Sequence, residues 1–245
     1  MELRDRVDNP ISELTAILLC GGRGERLKPF TETLPKALVP LNGEPLLSHL
    51  LRYLSSAGIS RFVICVGYKA EAIESFLKER SAQPWQVICV DSGDASMTDR
   101  LLDARPHIQG TALICYGDTL ANVELAALLR EHRQSQALAT LTVYPLHSPF
   151  GIVSFDNSKR VTTFAEKPRL PYWINIGFLL CEPGAFDFVT RGSEMPQFLS
   201  RLAEAGSLYT HEHRGKHLTV NTEKDRAFAE TEMIEFFTYM GGQAE

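Results

Sequence analysis

The 245-residue sequence lacks any apolar run approaching the roughly 20 residues that a membrane-spanning helix needs. Its first ten residues, MELRDRVDNP, are acidic and contain proline, unlike a signal peptide, so the expected location is the cytoplasm. Positive charge is not in excess: 25 Lys and Arg stand against 30 Asp and Glu, a net charge of -5. That balance removes the electrostatic ground for binding nucleic acid or an anionic membrane, and an anionic ligand would need a local basic pocket. Cysteine is sparse. Cys20, Cys65, Cys89, Cys115 and Cys181 are odd in number and show no C-x-x-C spacing, which favours buried free thiols over a disulfide framework or a zinc site. Repeats, low-complexity tracts and linkers are also missing, so a single domain over 1–245 is expected, with 1–13 as an N-terminal extension.

What is present is a series of short apolar runs, at 14–20, 61–66, 85–90, 111–116 and 137–144. They are continuous rather than alternating, as in strands buried on both faces of a parallel sheet. Between them lie helical patterns, with Leu46, Leu47, Leu50, Leu51 and Leu54 on one face and Leu125, Leu128 and Leu129 on another. The alternation predicts a doubly wound α/β fold. From about 145 the pattern changes to a hairpin turning near Asp156 and Asn157, then a strand through INIGFLLC. This predicts an antiparallel insertion over about 145–185. Helices are expected around 194–205 and 222–239, with the short strand SLYTHEH between them.

The first run leads into LCGGRGERL at 19–27. A glycine-rich loop after a strand can bring backbone N–H groups close to a phosphate, although it can also be only a turn. Its pattern lacks the Gly-Lys-Ser/Thr of a Walker loop. It also lacks the last glycine of a dinucleotide fingerprint and the acidic residue after the second strand, where VGY stands, so an NAD-binding dehydrogenase fits poorly. Arg26 offers a planar cationic fork for phosphate, and Lys36 in LPKALVP sits between prolines that restrict its backbone.

The combination G-G-x-G-x-R-L followed by Pro35-Lys36 resembles the sugar-1-phosphate nucleotidylyltransferases, most of all glucose-1-phosphate cytidylyltransferases. The resemblance spans about 14–230. It implies a Rossmann-like, doubly wound, mostly parallel sheet with helices on both faces and a small antiparallel insertion that binds sugar. It also implies a reaction joining a nucleoside triphosphate, CTP in the favoured reading, to a sugar 1-phosphate with release of pyrophosphate, and it implies Mg²⁺ and a homo-oligomer.

By the same resemblance Leu19, Gly21, Gly22 and Gly24 cradle the nucleotide, and Arg26 and Lys36 are catalytic. Gly93, Asp94, Ser96, Met97 and Thr98 lie near the base in VDSGDASMTDRL, which resembles the loop after the third strand in the cytidylyltransferases. Asp118 in LICYGDTL is a metal ligand, and a carboxylate after a parallel strand would point into the ligand crevice, though a turn or cap role would also suit it. Glu166 and Lys167 in FAEKPR, with Asn175 and Gly177 in INIGFLLC, contact the sugar phosphate. Two positions depart from the family. Asp99-Arg100 replaces a pair of glycines, and Asn221 stands where a second metal-binding aspartate is usual, with Asp225 nearby favoured as a helix-start residue. The second departure leaves open a relative that binds nucleotide or nucleotide sugar in a regulatory role.

Overall fold

A computed structural model describes residues 10–80 and 83–240, with side chains of the last helix to Met233. Of the expected N-terminal extension, residues 10–13 form a 3-10 turn with Ile11 buried, and 1–9 lie outside the described residues.

The chain opens with β1 (Thr15–Leu19), a short helix α1 (Phe30–Thr33), the strand pair β2 (Pro40–Leu41) and β3 (Glu44–Pro45), and α2 (Leu46–Ser56). It continues through β4 (Arg61–Val66), α3 (Ala70–Lys78), β5 (Gln86–Asp91), α4 (Met97–Ala104), β6 (Ala112–Tyr116), β7 (Thr119–Ala121) and α5 (Leu125–Ser135). The remainder comprises β8 (Ala139–His147), β9 (Ile152–Phe155), β10 (Val161–Ala165), β11 (Arg169–Cys181), α6 (Met195–Glu204), β12 (Leu208–Glu212), β13 (His217–Thr219) and α7 (Glu223–Met240). Seven strands form the central sheet in the order β12-β8-β11-β6-β1-β4-β5. All neighbouring pairs are parallel except those of β11, which runs antiparallel to β6 and β8.

Every residue of β1 is buried, and its side chains alternate between two apolar layers. Ala16 and Leu18 join Phe62 and Ile64 under α2, α3 and α5, while Ile17 and Leu19 join Val63 and Cys65 against α4 and α6. Burial on both faces explains why these strands read as unbroken apolar runs. Each buried Leu or Ile contributes about 1.5–3 kcal/mol of transfer free energy. The doubly wound, mostly parallel sheet expected from sequence is the observed architecture.

The antiparallel portion has two parts. The inner half of β11, Phe178 to Cys181, is buried in the sheet, whereas its outer half pairs with β8 only and is largely exposed. The hairpin of β9 and β10 forms a separate two-stranded sheet. A further pair, β7 with β13, is antiparallel and brings the start of α7 against the end of β6.

Candidate active site

Parallel strands direct the loops at their carboxyl ends into one crevice. At that edge the loop after β1, Gly67 after β4, the 92–96 segment after β5 and Gly117-Asp118 after β6 meet, and a cleft of about 340 Å³ opens. The glycine loop leaves β1 with the Cys20 amide on the Cys65 carbonyl and the Gly21 carbonyl accepting from Tyr68 N. Gly24 is left-handed (φ 63°) and starts the 3-10 turn Glu25–Leu27. That turn buries Leu27 in the core and leaves Arg26 lining the cleft.

Four of the residues singled out in the sequence converge there. Lys36 Nζ donates to Asp118 Oδ2 at 2.7 Å and to Asn221 Oδ1 at 2.8 Å, and Arg26 donates to the same Asn221 oxygen at 2.9 Å. Asn221 reaches this point because β13 pairs with β7 and the Val220 amide donates to the Asp118 carbonyl at 2.9 Å. Asp225 takes the structural role favoured for it. It accepts from the Asn221 and Thr222 amides at 3.1 and 2.9 Å, while the Asp225 amide donates to Thr222 Oγ1 at 3.2 Å, a reciprocal cap at the start of α7. Lys36 pairs with Asp118, Arg26 bonds the neutral Asn221, and the cleft lining carries Arg23, Arg26, Lys36 and Arg100 against Glu25, Asp94 and Asp118, which leaves positive charge over for an anion on an acidic chain. Among the described residues no group of three His, Cys, Asp or Glu could hold a metal ion. Asp118 and the Asn221 carboxamide oxygen are the metal donors on offer. They suit a Mg²⁺ ion that takes most of its ligands from phosphate and water.

The nucleotide-side candidates separate. Leu19, Gly21, Gly22, Gly24, Asp94 and Met97 line the cleft. Gly93, Ser96 and Thr98 do not: Ser96 caps α4 by accepting from Asp99 N at 3.1 Å, and Thr98 is fully buried and bonds the Ser193 carbonyl. The segment read as loop is therefore helix from Met97 onward, because Ser-x-x-Asp is a capping sequence.

Arg100, noted in the sequence only as a departure, is 4% exposed. Its guanidinium donates to the carbonyls of Val66, Gly21 and Gly93, tying three loops of the cleft together. A Cβ at Gly21 would collide with that guanidinium. Asp99, which the sequence places beside it, accepts instead from the Gly192 amide at 2.7 Å. At the cleft, Arg23 pairs with Asp94 at 2.9 Å, and this hydrogen bond holds the Asp94 carboxyl below its usual range. Burial pushes the Cys20 thiol up, so it offers no thiolate nucleophile.

The sugar-side candidates lie beyond this cleft. Gly177 (φ 75°) sits against the Tyr116 ring with no room for a Cβ, and Asn175 Nδ2 is 3.5 Å from the Tyr116 hydroxyl. Tyr116 itself lines the cleft, and burial raises its pKa. Glu166 and Lys167 are exposed at the end of the β9–β10 hairpin, with the Glu166 carboxylate beside Gly151. Lys167 has φ 46°, a left-handed conformation that costs a non-glycine residue about 1–2 kcal/mol.

Comparison with known proteins gives a consistent picture. The sequence model of the family described as nucleotidyl transferase matches residues 15–223. Glucose-1-phosphate cytidylyltransferase of Salmonella typhimurium is 30% identical over 246 residues, covering 89% of this chain and 95% of the relative. Mannose-1-phosphate guanylyltransferase of Mycobacterium tuberculosis is 32% identical over 195 residues, covering 75% and 53%. Among solved structures, HddC from Yersinia pseudotuberculosis superposes with a TM-score of 0.70 at 19% identity, covering 90% of this chain and 99% of that one.

Proposed function

The chain belongs to the nucleotidyl transferase family, and from that premise we propose that it transfers a cytidylyl group from CTP to a sugar 1-phosphate, giving a nucleotide sugar and pyrophosphate. The observation that carries this reading is the convergence of Arg26, Lys36, Asp118 and Asn221 beside the glycine loop. CTP is favoured because the likeness to the cytidylyltransferase runs through nearly the whole of both chains.

In this reading the sugar phosphate oxygen attacks the α-phosphorus in line, and pyrophosphate leaves from the opposite side. The nucleophile is already an anion, so positioning and charge neutralisation do the work and no general base is needed. The loop amides and Arg26 hold the β- and γ-phosphates. Lys36 neutralises charge that develops on the α-phosphate. Asn175, Gly177 and Glu166 bound the sugar, and Lys167, strained at the end of its arm, holds the sugar phosphate. Asp118, assisted by Asn221, would hold Mg²⁺, which when bound supplies further neutralisation of phosphate charge. A cytoplasmic location accords with this chemistry, and no helix among the described residues is long and apolar enough to cross a membrane.

The test is pyrophosphate release measured with CTP, UTP, GTP and dTTP against a panel of hexose and heptose 1-phosphates. Release that is fastest with CTP supports the proposal, and preference for another triphosphate overturns the choice of base. Nucleotide binding by calorimetry with no release from any pair would favour a regulatory binding protein, the reading that a carboxamide at position 221 in place of a second metal-binding aspartate also suits.

A further inference from the structure

The outer half of β11 leads away from the cleft. Its pairing with β8 is unbroken from Trp173 to Asn175, with Ile174 opposite Tyr144. Alternation along the strand puts Trp173 and Asn175 on one face and turns Ile174 to the other, where it packs on the core with Tyr144. Gly177 lies against the Tyr116 ring and Asn175 Nδ2 is 3.5 Å from the Tyr116 hydroxyl, so the cleft stands on one side of Asn175 and Trp173 on the other. Two residues of strand separate Asn175 from Trp173, about 7 Å, a span comparable to one pyranose ring.

Trp173 carries two arginines. Arg169 Cζ lies 4.9 Å from the centroid of its ring and Arg214 Cζ 5.7 Å. They differ in charge balance. Arg214 is paired with Glu212 at 2.6 Å, whereas among the described residues the Arg169 guanidinium forms no ion pair. Contact with a ring uses the charge of an arginine but gives its N–H donors no acceptor oxygen. The backbone here is anchored as well: Arg169 pairs with His147 of β8, and the Pro168 carbonyl accepts from the Ser148 amide at 3.0 Å. Ring and backbone together hold a guanidinium with its donor fork open, the shape that takes a carboxylate or phosphate by two parallel hydrogen bonds.

We propose that Arg169, held on Trp173, is a subsite for a second anionic group, a carboxylate or a phosphate, at the end of the sugar ring remote from C1, so that the substrate is an acidic sugar 1-phosphate. This deepens the transfer reaction proposed above and rests on it for placing the sugar beside Asn175. Position argues against the anomeric phosphate as the partner of Arg169. That phosphate must meet the α-phosphorus near Lys36 and Asp118, and Trp173 holds Arg169 on the far side of Asn175 from them. Lys167 and Arg169 would then grip the two ends of one ring. A chain of net charge -5 repels an acidic sugar unless a local cation receives it, and Arg169 supplies one.

The test compares three 1-phosphates that share one ring and differ in charge at C6: glucose 1-phosphate, glucuronic acid 1-phosphate and glucose 1,6-bisphosphate. With the preferred triphosphate, kcat/KM for pyrophosphate release should be roughly tenfold higher for at least one acidic sugar, the scale of a hydrogen bond between charged groups. Glucose 1-phosphate used as well as both of them, or better, overturns the subsite. In Arg169→Gln the ratio of acidic to neutral kcat/KM should fall toward one. A ratio that keeps its native value, as it would after an equal loss on all three sugars, overturns the proposal too. If no pair releases pyrophosphate, the transfer reaction fails, and calorimetry without nucleotide still reads the subsite. Glucuronic acid 1-phosphate should bind the native chain about tenfold more tightly than glucose 1-phosphate, and equal affinities overturn the subsite.

Discussion

Asn221 is the residue where the chemistry of the cleft turns. Its carboxamide oxygen accepts from both Lys36 and Arg26, a task an aspartate would perform with a full negative charge. The side chain present keeps the geometry but brings no negative charge of its own beside the two cations, which on charge alone favours an anionic ligand over a bare divalent ion. Asn221→Asp should therefore raise affinity for Mn²⁺ in the absence of nucleotide by roughly tenfold, the equivalent of about 1.4 kcal/mol. Calorimetry on the metal alone measures this, and an unchanged affinity would place residue 221 outside the metal's reach. Arg26, Lys36, Asp118 and the glycines were legible in the sequence because motif spacing carries them. Arg100 was not, since an arginine on an amphipathic helix ordinarily points to water. Its burial depends on glycine at positions 21 and 67, where added side chains would collide with it, and that is a fact of tertiary packing.

Among the elements, the strands at the centre of the sheet were readable because they are buried on both faces, and α2 and α5 because their leucines repeat at helical spacing. The helix α4 was less so: its capping signal Ser96-x-x-Asp99 sits inside a segment whose likeness to a base loop dominated the reading. The outer half of β11 was missed because its exposed residues, Arg169 to Trp173, carry no core pattern, and only pairing with β8 makes them a strand. The joint between α4 and the loops after β1, β4 and β5 is the Arg100 guanidinium. Arg100→Met should leave three carbonyls without their donor and lower stability by about 3 kcal/mol. Urea denaturation of the variant checks this, and a loss below about 0.5 kcal/mol, the scale of an ordinary surface substitution, would deny Arg100 its bracing role.

At the scale of the molecule, an acidic chain places four of its 25 cations, Arg23, Arg26, Lys36 and Arg100, around one cleft at the carboxyl edge of a mostly parallel sheet. Composition alone excluded partners that need a broad basic surface, and the cleft supplies the local exception. The choice of base and of sugar was not legible, because family members with similar identity to this chain carry different nucleotide names and the deciding contacts are made by side chains whose positions depend on loop packing. The central claim is that this gathered charge serves the transition state of nucleotidyl transfer. The most direct measurement is the turnover of Lys36→Ala, read as pyrophosphate release at saturating substrates alongside calorimetric triphosphate binding. Loss of a transition-state charge donor predicts turnover lower by about 10²-fold or more, with triphosphate binding weakened far less. Turnover equal to that of the native chain would contradict the account.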